Sequence, residues 1–248
     1  MNILAILSCL SALGASDVQI TSLRKGLILD MRLDVAHDKS VTVARDLSRY
    51  HHEGTATGTP PTWGAVGSGV ALNGSSDYVL VPDHDAFTFG DGAGNDSPFS
   101  VCAWVNMVDA TQFPLIVRRI SGAVADQDWG LYVSSDDKLY FRLFDDDASA
   151  SIYAMSSSVV TARENLWTLF CGVYDGSESE TGVNLYQNGS ALAQTQIGSG
   201  YTSMTNKAMD TWIGKHTTSY SNGSIWWAQI YARALSVPEI GEMYLQGR

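Results

Sequence analysis

Residues Asn222–Ile240 read NGSIWWAQIYARALSVPEI. The stretch opens on Asn-Gly, the strongest short turn signal, and continues through aromatic and β-branched residues of strand composition. It then closes on a helix start: Ser236 and Glu239 stand at capping-box spacing, and Leu235 and Ile240 at the spacing of a hydrophobic staple. Alternate residues of a strand share a face. Ala228 and Ile230 suit a core, which places Trp226 inward with them and Trp227 outward with Ile225 and Tyr231. An outward aromatic of this kind either lies under the terminal helix or a loop, or offers a surface for a sugar ring or a subunit contact.

Outward from this stretch the same signals recur. Asn73-Gly74 and Asn188-Gly189 each sit between alternating runs and read as hairpins, while Asn222-Gly223 reads as a hairpin or the start of a strand. Each of the three is followed by Ser, which also makes an N-glycosylation sequon, although the turn reading suffices. Strands are expected near 27–33, 69–73, 76–82, 99–107, 114–118, 129–134, 138–144, 167–174, 182–187, 191–197, 210–214 and 223–233. The Gly/Thr/Pro-rich stretch 51–68 reads as a loop between early strands. The fold class is therefore all-β, a two-sheet antiparallel jelly-roll sandwich with a short C-terminal helix.

Composition agrees. Apolar residues make up 45% of the 248, enough for a packed core, and charged residues only 17%. Fifteen basic against 26 acidic side chains give a formal charge of -11, which repels phosphate backbones and excludes nucleic acid as the main partner. The acidic runs Asp136-Asp137 and Asp145-Asp146-Asp147 resemble calcium clusters but are the usual composition of solvated turns. His51-His52-Glu53 likewise reads as solvated loop.

The three cysteines show no zinc spacing. Cys102 and Cys171 lie in apolar runs, where a thiol acts as a small buried hydrophobe, or the two meet across strands as a disulfide. Residues 1–24 divide from a body at 25–248. The first sixteen residues are apolar and end in small side chains, as a secretory leader does, yet no Lys or Arg precedes the apolar part. They fall short of the roughly twenty apolar residues a membrane span needs. Ile3, Ile6, Leu7, Leu10 and Leu13 share helical spacing, so the segment also reads as a retained assembly arm that packs on a protein subunit, in a homo-oligomer or a larger assembly.

In order, GLILDMRL, ARDLSRYHHEGT, GSGVALNGSSDYVLVPD, FSVCAWVN, ENLWTLFCGVYDG, VNLYQNGSALA, TWIGKH and NGSIWWAQIYARALSVPEI resemble the laminin-G-like and pentraxin-like branch of the concanavalin-A-like lectin and glucanase superfamily, over about residues 26 to 246. The resemblance implies a jelly roll whose members bind glycans, proteins or one another. It also implies a calcium site, for which Asp46 and Asp77 match family acids, but Trp226 stands where relatives supply a carboxylate. An indole offers calcium no oxygen, so no cofactor is expected.

Glucan-cleaving relatives carry E-x-D-x-x-E on one strand, because alternate carboxylates then reach the same sugar bond. That triplet is missing here, as are the serine-hydrolase, zinc-protease and phosphate-loop motifs, so a glycoside hydrolase is the least favoured reading. What remains is recognition, with Trp227, Tyr231, Trp63 and Trp129 as the contact candidates and Trp104 and Trp167 as core. The leading expectation is a non-catalytic binding or assembly module at an extracellular or virion surface, of the decoration or fibre type. The alternative is a secreted glycan-binding lectin.

Overall fold

The computed structural model describes residues 22–37, 42–59, 61–119 and 127–247. Among them, two antiparallel sheets stack face to face, the arrangement that lets each bury one apolar face on the other. The first, of eight strands, runs in the order β14 (Ser190–Ala191), β13 (Val183–Gln187), β12 (Thr168–Tyr174), β7 (Phe99–Met107), β19 (Asn222–Tyr231), β5 (Val70–Asn73), β4 (Thr62–Trp63), with β1 (Leu27–Arg32) also on β19. The second, of nine strands, runs β15 (Gln194–Ser199), β11 (Ala150–Ser156), β10 (Leu139–Asp145), β9 (Gln127–Val133), β8 (Pro114–Arg119), β16 (Thr211–Ile213), β6 (Tyr78–Val81), β3 (Gly54–Thr57), β2 (Val43–Ala44). A small hairpin of β17 (Lys215–His216) and β18 (Ser219–Tyr220) follows β16.

Between the sheets lies the main core, where the Phe99 ring packs 5.4 Å from Phe141 and 5.6 Å from Trp129. Gly172 keeps this contact open, since a Cβ there would lie 2.4 Å from the Phe141 ring. The eight-stranded sheet has a second buried face. Trp104, Leu169, Cys171, Trp227 and Tyr231 pack there against Leu23, Leu235 and the helix α1 (Val237–Gln246), through Ile240 and Met243. Two-sided burial explains why β7 and β12 are nearly continuous apolar runs. Cys102 and Cys171 stand opposite each other on those strands with their Cα atoms 4.2 Å apart, and they form a disulfide.

At the helix start, Glu239 accepts hydrogen bonds from the Ser236 backbone N–H (2.9 Å) and hydroxyl (2.8 Å) and from both terminal nitrogens of Arg233. Burial opposes its charge, but these donors outweigh that and hold its carboxyl down to about 2. The Asn188-Gly189 hairpin forms as expected, with positive φ at both residues (51° and 83°), the two-residue turn that matches strand twist. Asn73-Gly74 does not make a hairpin: β5 and β6 belong to different sheets, and the Asn73 side chain instead accepts from three successive backbone N–H groups to turn the chain across the sandwich.

Other expectations change as well. The stretch 51–68 holds β3 and β4, and β11 was not anticipated. Asp145 and Asp146 are buried, not solvated: Asp145 accepts from the backbone of Thr202 and Ala148, and Asp146 pairs with Lys207 at 3.1 Å. Trp104 is buried, but on the helix side of its sheet, and Trp167 is only half-buried.

Candidate functional site

Strand alternation places one side-chain set of the nine-stranded sheet in the core and the other on its outer face. On β9, Trp129, Leu131 and Val133 go inward, so Tyr132 goes out. Leu139, Phe141 and Leu143 of β10 do the same for Tyr140 and Arg142, and Ile152 and Ala154 of β11 for Tyr153. Registry then brings these side chains together. Tyr140 stands opposite Tyr132, and Arg142 opposite Tyr153 and Gly130. The row continues through Gly130 and Val117 to Trp212 and Leu80.

The outcome is an aromatic platform. The Tyr132 and Tyr140 rings lie within 4° of parallel at 5.7 Å, His216 stacks on Tyr132 at 4.9 Å, and Tyr153 leans on Tyr140 at 5.8 Å. Tyr132 is almost fully buried, whereas Tyr140 and Tyr153 are half-exposed. The Arg142 guanidinium lies over Phe144 at 4.7 Å and Tyr153 at 5.2 Å, and donates to Ser151 Oγ through Nε (3.0 Å) and Nη2 (2.9 Å). Across the sheet, the Lys215 ammonium sits 4.3 Å from both the Tyr78 and Trp212 rings and 5.6 Å from Tyr220. A pocket of about 180 Å³ opens beside Tyr132, lined with Gln112, Ser134, Ser135, His216 and Ser219.

Burial and the nearby guanidinium groups of Arg119 and Arg142 hold the His216 imidazole down to about 4, so it is neutral at physiological pH. Arg119 Nη1 lies 2.9 Å from His216 Nε2, which makes that nitrogen the acceptor and leaves the proton on Nδ1. Burial and the hydrogen bond to Asp136 push the Tyr140 hydroxyl up to about 12. The face therefore offers flat apolar rings, hydroxyl, amide and neutral imidazole groups, the cations Arg142 and Lys215, and the Asp136 carboxylate bound to Tyr140.

The expected contact residues lie elsewhere. Trp129 is fully buried and donates its indole N–H to the Phe87 carbonyl at 3.0 Å. Trp227 and Tyr231 do face away from the inter-sheet core, but they are covered: the Arg32 guanidinium lies 3.2 Å from the Trp227 ring centroid, and the Trp227 indole donates to Asp30 at 2.8 Å. A bulge between Ile225 and Trp227 breaks strict alternation, so Ile225 turns into the core and Trp226 is half-buried, bonded to Asp34. Trp63 packs half-buried at the sheet edge.

Asp46 accepts from the backbone N–H groups of Asp30, Ser48 and His52 and from the Ser48 hydroxyl, which occupies both oxygens. Asp77 is buried and accepts from Ser76. Among the described residues, no three His, Cys, Asp or Glu side chains group as metal ligands. Ile3, Ile6, Leu7, Leu10 and Leu13 lie outside the described residues. Of residues 1–24, Leu23 is buried against the outer face of the eight-stranded sheet.

Sequence reasoning missed Tyr132, Tyr140, Arg142, Tyr153 and Trp212. The signal was present in LYFRLFD, where Tyr140 and Arg142 alternate with core residues, but β11 went unrecognised and with it the partner that makes them a face.

No curated protein sequence matches the chain. Among solved structures it is similar to a botulinum neurotoxin type C structure described as interacting with two ganglioside molecules (TM-score 0.63, 14% identity, 92% of this chain and 53% of that one). It is also similar to the binding domain of botulinum neurotoxin DC in complex with SialylT (0.64, 15%, 91% and 52%). A third is a Trypanosoma rangeli sialidase in complex with 2,3-difluorosialic acid (0.57, 16%, 89% and 33%). The chain thus spans about half or less of these proteins, and at such identity the likeness is one of fold. The profile of the concanavalin A-like lectin/glucanases superfamily matches residues 73–241, more than half of the sequence, and the chain belongs to that superfamily.

Proposed function

We propose that this chain is a non-catalytic, extracellular glycan-binding module that takes up sugar on the outer face of its nine-stranded sheet. The observation that carries this reading is the half-exposed ledge of Tyr140 and Tyr153 on Tyr132, beside a pocket lined with hydroxyl and amide groups. Pyranose rings present apolar C–H faces to such rings and hydroxyls to such rims. Outward along β10 and β11 the side chains are Tyr140, Arg142, Phe144, Ser151, Tyr153 and Met155, without the carboxylate pair that glycosidic cleavage uses. The Cys102–Cys171 disulfide supports an oxidising compartment. Ganglioside and sialic-acid ligands among structures of the same fold point the same way.

The role in a virion or other assembly leaned on the apolar arm of residues 1–24 and on the carboxylate missing at Trp226; residues 1–21 of that arm lie outside the described residues, and the glycan reading stands first. Glycan-array binding tests it. The wild-type protein should bind a defined subset of glycans, and Tyr140→Ala or Tyr153→Ala should weaken that binding about tenfold or more, while Leu245→Ala on the exposed side of α1 leaves it unchanged. Absence of binding across the array overturns the proposal.

A further inference from the structure

We infer that the sugar bound on this face is acidic, with its carboxylate or sulfate group drawn to Arg142 and Lys215; the inference rests on the glycan-binding reading. Cations are scarce in this chain, 15 against 26 acids, and four that pack into the body elsewhere meet a carboxylate. Arg32 meets Asp30 at 3.5 Å, Arg118 meets Asp128 at 2.9 Å, Lys207 meets Asp146 at 3.1 Å and Arg233 meets Glu239 at 2.8 Å. Arg142 and Lys215 stand apart from these four. Each is half-buried, and neither forms an ion pair among the described residues. Their neighbours are aromatic rings and, for Arg142, the Ser151 hydroxyl.

Position makes this a ligand argument. Arg142 and Trp212 lie in one row of the sheet with Gly130 and Val117 between them, three strand spacings or about 14 Å apart. Gly130 and Val117 are themselves buried beneath their neighbours, a Cβ at Gly130 standing 3.3 Å from the Tyr132 ring, and the two ends of the row each carry a cation set in aromatic rings. A short oligosaccharide lying over this face would cover one cation or both. Covering them with a neutral sugar strips water from a charge and returns only hydroxyl contacts, which disfavours binding. A carboxylate or sulfate replaces the lost water with a charge-assisted hydrogen bond, and a guanidinium suits the planar carboxylate best. The chain's overall charge of -11 opposes anions at long range, so any acidic preference must arise from these local groups.

Titration calorimetry on the full chain tests the inference with three matched pairs: sialyllactose against lactose, oligogalacturonate against its methyl ester, and a sulfated against an unsulfated galactan oligosaccharide. At least one acidic member should bind about tenfold or more tighter than its neutral parent, and the pair that does so distinguishes carboxylate from sulfate. The preference should shrink as salt rises, vanish in Arg142→Gln or Lys215→Gln, and survive in Arg142→Lys. Should both Gln variants fail to fold, the wild-type pairs decide alone. Neutral and acidic members bound equally would overturn the acidic specificity while leaving glycan binding intact. No binding of any member, together with an empty glycan array, would overturn both.

Discussion

Tyr132 and Tyr140 face each other across β9 and β10 with rings 4° from parallel, yet only Tyr140 has a face left for solvent. The pair therefore divides into a support and a contact. Tyr132→Ala empties a buried site and should cost about 3–5 kcal/mol of stability. Tyr140→Ala forfeits chiefly the ring pair, about 0.5–1.5 kcal/mol. Urea unfolding of the two variants checks the difference; equal losses would mean that the platform is not layered in this way.

Replacing Cys102 and Cys171 together by Ala should destabilise the protein by about 2–5 kcal/mol, since the disulfide closes a loop across 69 residues of sequence. Thiol titration of the denatured, unreduced protein should find Cys102 and Cys171 unreactive, so that at most one thiol, that of Cys9, is titrated. Three free thiols would remove both the bridge and the compartment argument.

Stability should fall as the pH drops from 6.5 toward 4 through His216. Its folded value is depressed to about 4 from the ordinary 6.5 by burial and by Arg119 and Arg142, so the unfolded chain takes up a proton that the folded one refuses. Asp128 works in the opposite sense, because burial raises it to about 7 despite Arg118. The comparison that isolates the imidazole is therefore wild type against His216→Gln. The difference between their pH–stability curves should slope between pH 4 and 6.5 and be flat above; a flat difference throughout would refute the depressed value.

Calcium should leave the melting temperature unchanged. All four donors to Asp46 are hydrogen-bond donors of the protein itself, and Trp226 binds Asp34, so a cation would have to displace existing bonds. A rise of several degrees in millimolar calcium, reversed by chelator, would contradict this.

The helix offers a local test. Ser236→Ala removes the hydroxyl bound to Glu239 and should cost about 0.5–2 kcal/mol, while Leu235→Ala, a buried truncation, should cost about 2–5 kcal/mol. Unchanged stability in both would mean that α1 does not dock.

Local chemistry alone determined much of this protein. The Asn188-Gly189 turn, the Ser236–Glu239 cap, the parity of Ala228 and Ile230 and the long strands β7 and β12 depend on neighbours close along the chain, so their residues announce them. Only the tertiary structure decided what happens to a face once it is known to point away from the core. Trp227 and Tyr231 point out of their sheet and are buried all the same, because Leu23 and α1, from the two ends of the described chain, meet over them. Tyr132, Tyr140, Arg142 and Tyr153 also point out, but of the other sheet, over which no helix of the described chain packs. Alternation along one strand carries the direction of a side chain. Whether another element covers it depends on contacts between residues far apart in sequence, and a single strand holds no record of those.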